Sequence, residues 1–400
     1  MYAARRTSQS LLPLAPQLLA VRIVRLALVS AGPLCSRPDA CLAEPQLSRF
    51  ETKYYVLHTD LEPDGVREAS IRVDRMGEEY HARTTPFAGT IESKLPVYLF
   101  RRADDYRAAG GPPGSAGVYT GQSLMAVAGD VAGPRTWEVL QHEGFHQFIH
   151  AVIGGDIPIW VNEGLAEYFS HAVFTGDGFE TGLIPQPRLE RVRRRIQEKE
   201  FKSIQEMMEL QHGEWNHSLR AENYDQAWSM VHFLAHGDDG RYDAAFNGFL
   251  QAVSLQRITW QGAWLQHFGY ADEFESRWRE YWEGLPDNPT ETRYAQATVA
   301  TLTGFLARAA SQRQTFKTVD EFFAAAQAGG LKSHASDWLP PALLQQAMAE
   351  HSALGTWSVE RPNGAGLICV RSDGSRHVGR FQLRGSRVAG VEVRTTPGRK

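Results

Sequence analysis

Two histidines and a glutamate form the pattern H-E-x-x-H at residues 142–146 of this sequence, read as HEGFH. Residues four apart lie on one face of an α-helix, so the imidazoles of His142 and His146 can converge on one ion. Glu143 lies about 100° around that helix, where its carboxylate can reach a water molecule at the ion without joining the ligands. The pattern predicts metal-assisted hydrolysis; two core histidines satisfied by carbonyl groups are the alternative.

A third ligand is expected downstream, because a catalytic zinc ion takes three protein ligands and keeps one position for water. Glu163 and Glu167 are spaced four apart on a second predicted helix, so both carboxylates lie on one face. We expect Glu163 to ligate the ion and Glu167 to accept the free ring N–H of a ligand histidine. The reverse assignment and a solvated acidic face are the alternatives.

The elements that must position these residues follow from periodicity and from turn signals. Strands are predicted at residues 52–60, 95–100, 117–120 and 123–127. Helices are predicted at about residues 135–152 and 161–173, over most of 189–282, and again at about 293–352. Alternating runs after residue 355, with Asn-Gly and Asp-Gly turns, predict a small β unit. The expected class is α+β, with an N-terminal mixed sheet, an active-site helix and a helical lower half.

We expect four parts along the chain. They are a leader at residues 1–45, a domain at 46–286 with its sheet at about 50–130 and its helices at about 134–286, a helical extension at 287–352, and a β tail at 353–400. In the leader, Arg22 and Arg25 precede the apolar run Leu26 to Leu34 and small residues near Ala43, which is typical of a secretory signal. The protein is therefore expected to be exported, periplasmic or secreted, and cytoplasmic if the leader is not a signal.

Composition excludes several function classes. With 42 Lys and Arg against 46 Asp and Glu, the net charge of −4 provides no field that would attract nucleic acid. Three cysteines exclude a disulfide scaffold, and no apolar run reaches the roughly 18 residues that a membrane span needs. A G-x-S-x-G nucleophile motif and a phosphate-binding glycine loop are also absent from the sequence.

These motifs resemble the gluzincin metallopeptidases. The segment WVNEGLAEYF is similar to the W-L-N-E-G-F-A block of zinc aminopeptidases, in which the Glu after Asn, here Glu163, is the third ligand. The sequence is most similar to a bacterial family of uncharacterised peptidase-MA-like proteins, over about residues 52–285. The resemblance rests on YYVLHTD, LPVYLF, GVY, HEGFHQ, PIWVNEGLAEYF and ESRWREYW. A metzincin is excluded, because its motif would need Gly and His where Ile149 and Val152 stand.

The resemblance implies a zincin-like domain with one catalytic zinc ion and a peptide or protein substrate. It also suggests Tyr224 as the donor that stabilises the oxyanion. A Tyr packed at a helix start is the alternative, and His217, His232 and His236 are possible substitutes. The runs GVYT and SLMAV could bind an extended peptide by strand addition, as an edge strand does in gluzincins.

Two further features are not expected to take part in the reaction. His150 lies one turn beyond His146 and is expected to contact the site's surroundings or solvent, because a fourth ligand would occupy the water position. The basic residues between Arg188 and Arg195 are expected to form a solvated helix face. The predicted function is zinc-dependent peptide-bond hydrolysis with Glu143 as general base; a catalytically inactive zinc-binding or scaffold protein of the cell envelope is the alternative.

Overall fold

The computed structural model describes residues 46–130, 132–153, 157–218, 220–256, 258–360 and 366–398. The leader predicted over residues 1–45 and the predicted Asn363-Gly364 turn lie outside these residues. Residues Glu44–Lys400 form a single compact unit. Within the described ranges, no helix combines the length and the apolar character that crossing a membrane requires.

A five-stranded mixed sheet opens the described chain. Its strands are β1 (Ser48–Glu51), β2 (Tyr55–Thr59), β3 (Leu95–Phe100), β4 (Gly117–Tyr119) and β5 (Leu124–Val127), and two helices, α1 (Pro63–Thr84) and α2 (Ala103–Ala108), lie between them. The spatial order is β1-β2-β3-β5-β4, with β2, β3 and β5 parallel and both edge strands antiparallel to their neighbours. Tyr55, Leu57 and Thr59 are buried on one face, as the two-residue period of a strand requires.

The H-E-x-x-H motif lies on α3 (Pro134–Ile153), which is followed by α4 (Ile159–Ser170). Side-chain amides on the buried side of α3 fix its position. Gln147 donates a hydrogen bond to the carbonyl of Pro96 in β3 at 2.8 Å, and Gln141 donates to the carbonyls of Phe169 and Ser170 at 2.8 and 3.1 Å. The α3 helix is therefore tied both to the sheet and to the end of α4.

A short hairpin and a group of helices form the lower half. These elements are β6 (Val173–Phe174), β7 (Phe179–Glu180), α5 (Gln186–Gln197), α6 (Ile204–Glu209), α7 (His212–Ser218), α8 (Ala221–Gly240), α9 (Asp243–Ser254), α10 (Trp260–Phe268) and α11 (Ala271–Gly284). The helix α8 packs directly on α4 at Gly164, where an added Cβ atom would lie 2.6 Å from the carbonyl oxygen of Ala227. Only glycine permits this approach, which brings the start of α8 to the side of α4 that carries the candidate carboxylates.

The C-terminal part contains α12 (Glu291–Ser311), α13 (Val319–Gln327), α14 (Pro341–Leu354) and an antiparallel sheet of β8 (Thr356–Val359), β9 (Gly366–Val370), β10 (Arg376–Arg384) and β11 (Arg387–Thr396). The sheet packs on α12, where Thr303 lies against Gly379 of β10. The buried guanidinium of Arg308 on α12 pairs with Asp177 of the β6–β7 hairpin at 2.8 Å and with Asp337 at 2.9 Å. The described residues thus confirm the predicted α+β class, the N-terminal mixed sheet and the small C-terminal sheet.

Candidate metal centre

The structure brings three of the predicted residues together at one point. The Nε2 atoms of His142 and His146 lie 3.2 Å apart, and Oε2 of Glu163 lies 3.4 Å from the first and 3.6 Å from the second. His142 and His146 come from adjacent turns of α3, and Glu163 comes from the first half of α4. Within the described ranges this is the group of histidine and acidic side chains whose geometry could hold a metal ion.

These distances suit a small divalent cation. A tetrahedral ion with bonds of about 2.0–2.2 Å keeps its ligand atoms roughly 3.3–3.5 Å apart, close to the three separations between these side chains. The Oε2 atom of Glu163 is buried and accepts no hydrogen bond from the described residues, although a buried carboxylate oxygen normally has a donor. Two neutral imidazoles and a carboxylate are also a donor set that zinc prefers. The residues present therefore fit the ion.

The charges of the site favour a cation. Burial by itself lowers the pKa of the His142 ring, but the carboxylates of Glu163 and Glu167 outweigh burial and raise that pKa to about 10. Burial raises the pKa of the Glu163 carboxyl, and the two histidines outweigh this effect and bring it down to about 2. Each shift reports the same electrostatic fact: positive charge at this point is stabilised by enclosed carboxylates.

Glu167 lies beside His142 and not among the three converging atoms. Its Oε1 atom is 3.2 Å from Nδ1 of His142, the ring nitrogen that faces away from His146. When the ring is neutral, as metal binding would require, this contact favours the tautomer with its proton on Nδ1 and the lone pair on Nε2. The assignment of Glu163 as a metal ligand and of Glu167 as the acceptor from a ligand histidine stays a prediction, with which this contact is compatible.

The expectation that the basic cluster is a solvated face is wrong for two of its members. Arg188 and Arg195 are 3% and 7% exposed, and both pair with Asp225 of α8, at 3.1 and 3.7 Å. Arg188 also donates to Glu167 and stacks on the ring of Trp228, 4.4 Å from its centroid. Arg188 lies four residues before Val192 and Arg195 three residues after it, so both flank the apolar stripe of α5. This spacing is the sequence feature from which their burial could have been predicted.

Two other residues at the site were not singled out from the sequence. Asn162 presents Oδ1 to Nδ1 of His146 at 3.1 Å, so both imidazoles of the candidate site have an acceptor at Nδ1. The backbone N–H of Tyr119, in edge strand β4, donates to Oε2 of Glu143 at 2.8 Å. Asn162 directly precedes Glu163 and could have been found by its position; the Tyr119 contact depends on tertiary structure.

His150 is exposed and its Nδ1 atom lies 2.6 Å from the hydroxyl of Tyr119. His150 therefore contacts β4, whose Tyr119 N–H donates to Glu143, and it is not among the three converging residues. The sequence predicts that His150 contacts the surroundings of the site or solvent, and its exposed position agrees with that expectation.

Tyr224, at the start of α8, lies near His142, one of the three converging residues. Its ring centroid is 6.4 Å from that of His142, and its ring also packs edge-on against Trp215. Burial, and then the negative charge of Glu163, raise the pKa of the Tyr224 hydroxyl to about 12. The hydroxyl is thus protonated at neutral pH and can donate a hydrogen bond.

The alternative histidines occupy other surroundings. His232 is buried with Nε2 3.2 Å from the carbonyl oxygen of Gly182, and His236 contacts the hydroxyl of Tyr168 at 2.9 Å. Neither histidine contacts His142, His146 or Glu163 in the part of the chain that the structure describes. The side chain of His217 lies outside the described residues.

A family model matches part of the chain. A family model described as "Protein of unknown function (DUF1570)" matches residues 138–258, which contain the three converging residues, Glu167 and Tyr224. The match leaves out the five-stranded sheet and everything from α10 onward. No curated protein matches the chain.

Proposed function

We propose that this protein is a zinc-dependent, gluzincin-type peptide hydrolase, in which His142, His146 and Glu163 hold the ion and Glu143 is the general base. The observation that carries this proposal is the triangle of 3.2, 3.4 and 3.6 Å between the three ligand atoms. A zincin-like domain over residues 46–286 is part of the same proposal. It is supported by the order of the elements, a mixed sheet followed by the motif helix and the helix that carries Glu163.

A zinc ion held by these residues would lower the pKa of a water molecule toward ~7 and polarise the substrate carbonyl. Glu143 accepts the proton that the water loses as its oxygen bonds to the carbonyl carbon. Its Oε2 atom is held by the Tyr119 N–H, while Oε1 accepts no hydrogen bond from the described residues and is available for that proton. When the C–N bond breaks, Glu143 passes the proton to the departing amine nitrogen, so the carboxylate is restored.

Tyr224 supplies the second stabilising group in this proposal. The carbonyl oxygen becomes negatively charged as water adds, and a preorganised donor lowers the energy of that state. Tyr224 is half-buried with its ring beside His142, and its hydroxyl carries its proton at neutral pH, since its pKa is raised to about 12. It can therefore donate to the oxyanion without itself ionising.

The proposal is tested by metal analysis and a peptide-library assay on the purified, zinc-loaded protein. Glu143→Gln keeps the side-chain shape and the acceptor for Tyr119, so we expect unchanged zinc content and no hydrolysis. His146→Ala removes a ligand and should lose the zinc. Glu198→Gln, at an exposed position of α5's C-terminal end, is the matched control and should behave as wild type.

Two outcomes would contradict the proposal. If zinc-loaded Glu143→Gln still hydrolysed peptides, Glu143 would not be the general base. A wild-type protein that holds one zinc ion and cleaves no peptide of the library would instead favour the inactive zinc-binding or scaffold protein.

A further inference from the structure

A cavity lies beside the candidate metal centre, between α1, α3, the end of α4 and the C-terminal helices. Its volume is about 480 Å³, and its walls include Arg72, Trp137, Glu138, His171, Phe174 and Leu343. We call it the Arg72 pocket. Pockets that bind small organic molecules have volumes of roughly 300–1,000 Å³, so it is large enough for one.

In this pocket the guanidinium of Arg72 is held in place but does not use all of its hydrogen-bond donors. Its guanidinium carbon lies 4.5 Å from the ring centroids of both Trp137 and Phe174, so the planar group is stacked between two aromatic rings. Its Nε atom donates to Glu68 at 2.8 Å. Its two terminal nitrogens have no hydrogen-bond partner among the described residues, although the side chain is only 12% exposed. Burial lowers the pKa of the Arg72 guanidinium, and the charge of Glu68 offsets this effect only in part.

We propose that the Arg72 pocket binds an organic monocarboxylate with an apolar body, the carboxylate pairing with the two terminal nitrogens of Arg72. A planar guanidinium presents two parallel N–H donors that match the two oxygens of a carboxylate. The rings of Trp137 and Phe174 keep that fork from rotating, so little entropy is lost when it binds. Leu343, Val173 and the two aromatic rings form an apolar part of the wall that suits an apolar body, beside polar residues such as Gln141 and Gln346.

The other titratable groups of the pocket limit the charge of the ligand. Glu68 already neutralises part of Arg72, and Glu138 adds a second negative charge at an exposed position of the wall. The ring of His171 is neutral at physiological pH, because burial and the charge of Arg188 lower its pKa to about 4. A dianion such as phosphate would bring two negative charges beside Glu68 and Glu138, whereas a monocarboxylate brings one and is repelled less.

Neighbouring residues link the Arg72 pocket to the candidate metal centre, but carboxylate binding in the pocket does not require hydrolysis at that centre. Glu138 lies one helical turn before His142 on α3, and His171 contacts Arg188, which pairs with Glu167. The C-terminal wall, with Leu343 of α14, lies outside the residues that the family model matches. The carboxylate could therefore belong to a peptide at the metal centre or to a separate small molecule.

Binding is measured by calorimetric titration of the full chain with hydrocinnamate, a phenyl-bearing monocarboxylate, and with hydrocinnamide, its neutral counterpart. We expect saturable binding of the acid and at least about tenfold weaker binding of the amide. Arg72→Met keeps the apolar stack but removes the fork, and should weaken hydrocinnamate binding by a similar factor. Glu68→Gln removes the competing charge and should tighten it.

Arg67→Met is the matched control, because Arg67 lies on the same helix and also stacks on a Trp ring, that of Trp338, outside the pocket. If Arg72→Met fails to fold, Ala342→Trp fills the pocket from an exposed position on α14 and should abolish binding. Equal binding of acid and amide, unchanged binding by Arg72→Met, or no saturable binding by wild type would overturn the proposal.

A kinetic comparison distinguishes the two sources of the carboxylate. If hydrocinnamate competes with peptides that have a free C-terminal carboxylate and not with amidated peptides, the pocket takes the substrate's own carboxylate. If it competes with neither but still binds, the ligand is a separate molecule; both results retain the pocket. If no peptide is cleaved, the proposed hydrolase fails, while the titration still decides whether the pocket binds carboxylates.

Discussion

Arg188 donates a hydrogen bond from Nη1 to Oε2 of Glu167 at 2.6 Å, on the side of the carboxylate that faces away from the metal centre. The other oxygen of Glu167 contacts His142 at 3.2 Å. Burial raises the pKa of the Glu167 carboxyl, but Arg188 and His142 outweigh burial and hold it far below its usual range. The ring of His142, a candidate metal ligand, is thus oriented by a carboxylate that is itself held by a buried arginine.

Glu167→Gln should weaken zinc binding by about 10–100-fold, the usual cost of losing the partner of a ligand histidine. The amide keeps the shape of the side chain but gives up the charge that favours the N–H on Nδ1. Zinc affinity is measured by competition with a chelating dye, with the exposed Glu198→Gln as control. Equal affinities of the two variants would show that Glu167 serves only to neutralise Arg188.

Tyr224→Phe should lower kcat by about 10²–10³-fold, the range found when one oxyanion donor is removed. The zinc content and the KM should change little, because the hydroxyl acts on charge that develops after substrate binds. Tyr270→Phe is the control, since Tyr270 is 72% exposed. A full-rate Tyr224→Phe enzyme would mean that Tyr224 only packs at the start of α8.

Acidification should destabilise the fold through two buried histidines. Burial, and then the charge of His236, lower the pKa of His232 to about 3; burial, and then Arg293, lower the pKa of His236 to about 4. Both rings are neutral in the folded protein, whereas the unfolded chain takes up protons below pH ~6.5. Their contribution to stability is therefore complete above about pH 6.5 and is lost as the pH falls toward 4, with a limiting slope of about 1.4 kcal/mol per pH unit for each ring.

This prediction is checked by urea unfolding between pH 7.5 and 5 with a chelator present, so that metal binding does not contribute. Replacing His236 by Gln preserves a hydrogen-bonding group for Tyr168 and should make the loss of stability with acidification smaller. His334→Gln, at an exposed position, should leave the pH dependence as it is in wild type. A pH profile unaffected by His236→Gln would contradict the assignment.

Arg308→Met should destabilise the protein by about 3 kcal/mol, because it leaves the half-buried carboxylates of Asp177 and Asp337 without their buried cation. The effect is measured as a shift in the midpoint of urea unfolding, with exposed Arg384→Met as control. Since Arg308 joins α12 to the β6–β7 hairpin, the whole unfolding transition should move. A change confined to the C-terminal sheet would show that this sheet unfolds independently.

Local patterns predicted much of the arrangement that the structure describes. The strand predicted at Leu95–Phe100 has the bounds of β3, and the helix predicted at about 135–152 is α3 (Pro134–Ile153). Helical spacing alone placed His142 and His146 on one face, and it placed Glu163 and Glu167 on one face of the next helix. By contrast, β1 was not predicted, because Ser48–Glu51 is short and wholly exposed.

The sequence by itself determined which side chains could share a metal ion, because spacing along a helix fixes the direction of a side chain within a few residues. Tertiary structure decided which partner each of them has: Arg188 for Glu167, the Tyr119 backbone for Glu143, and two aromatic rings for Arg72. These partners come from elements far apart in the chain. A charged side chain is stable inside a protein only where the fold supplies opposite charge or hydrogen bonds, and periodicity carries no information about that supply.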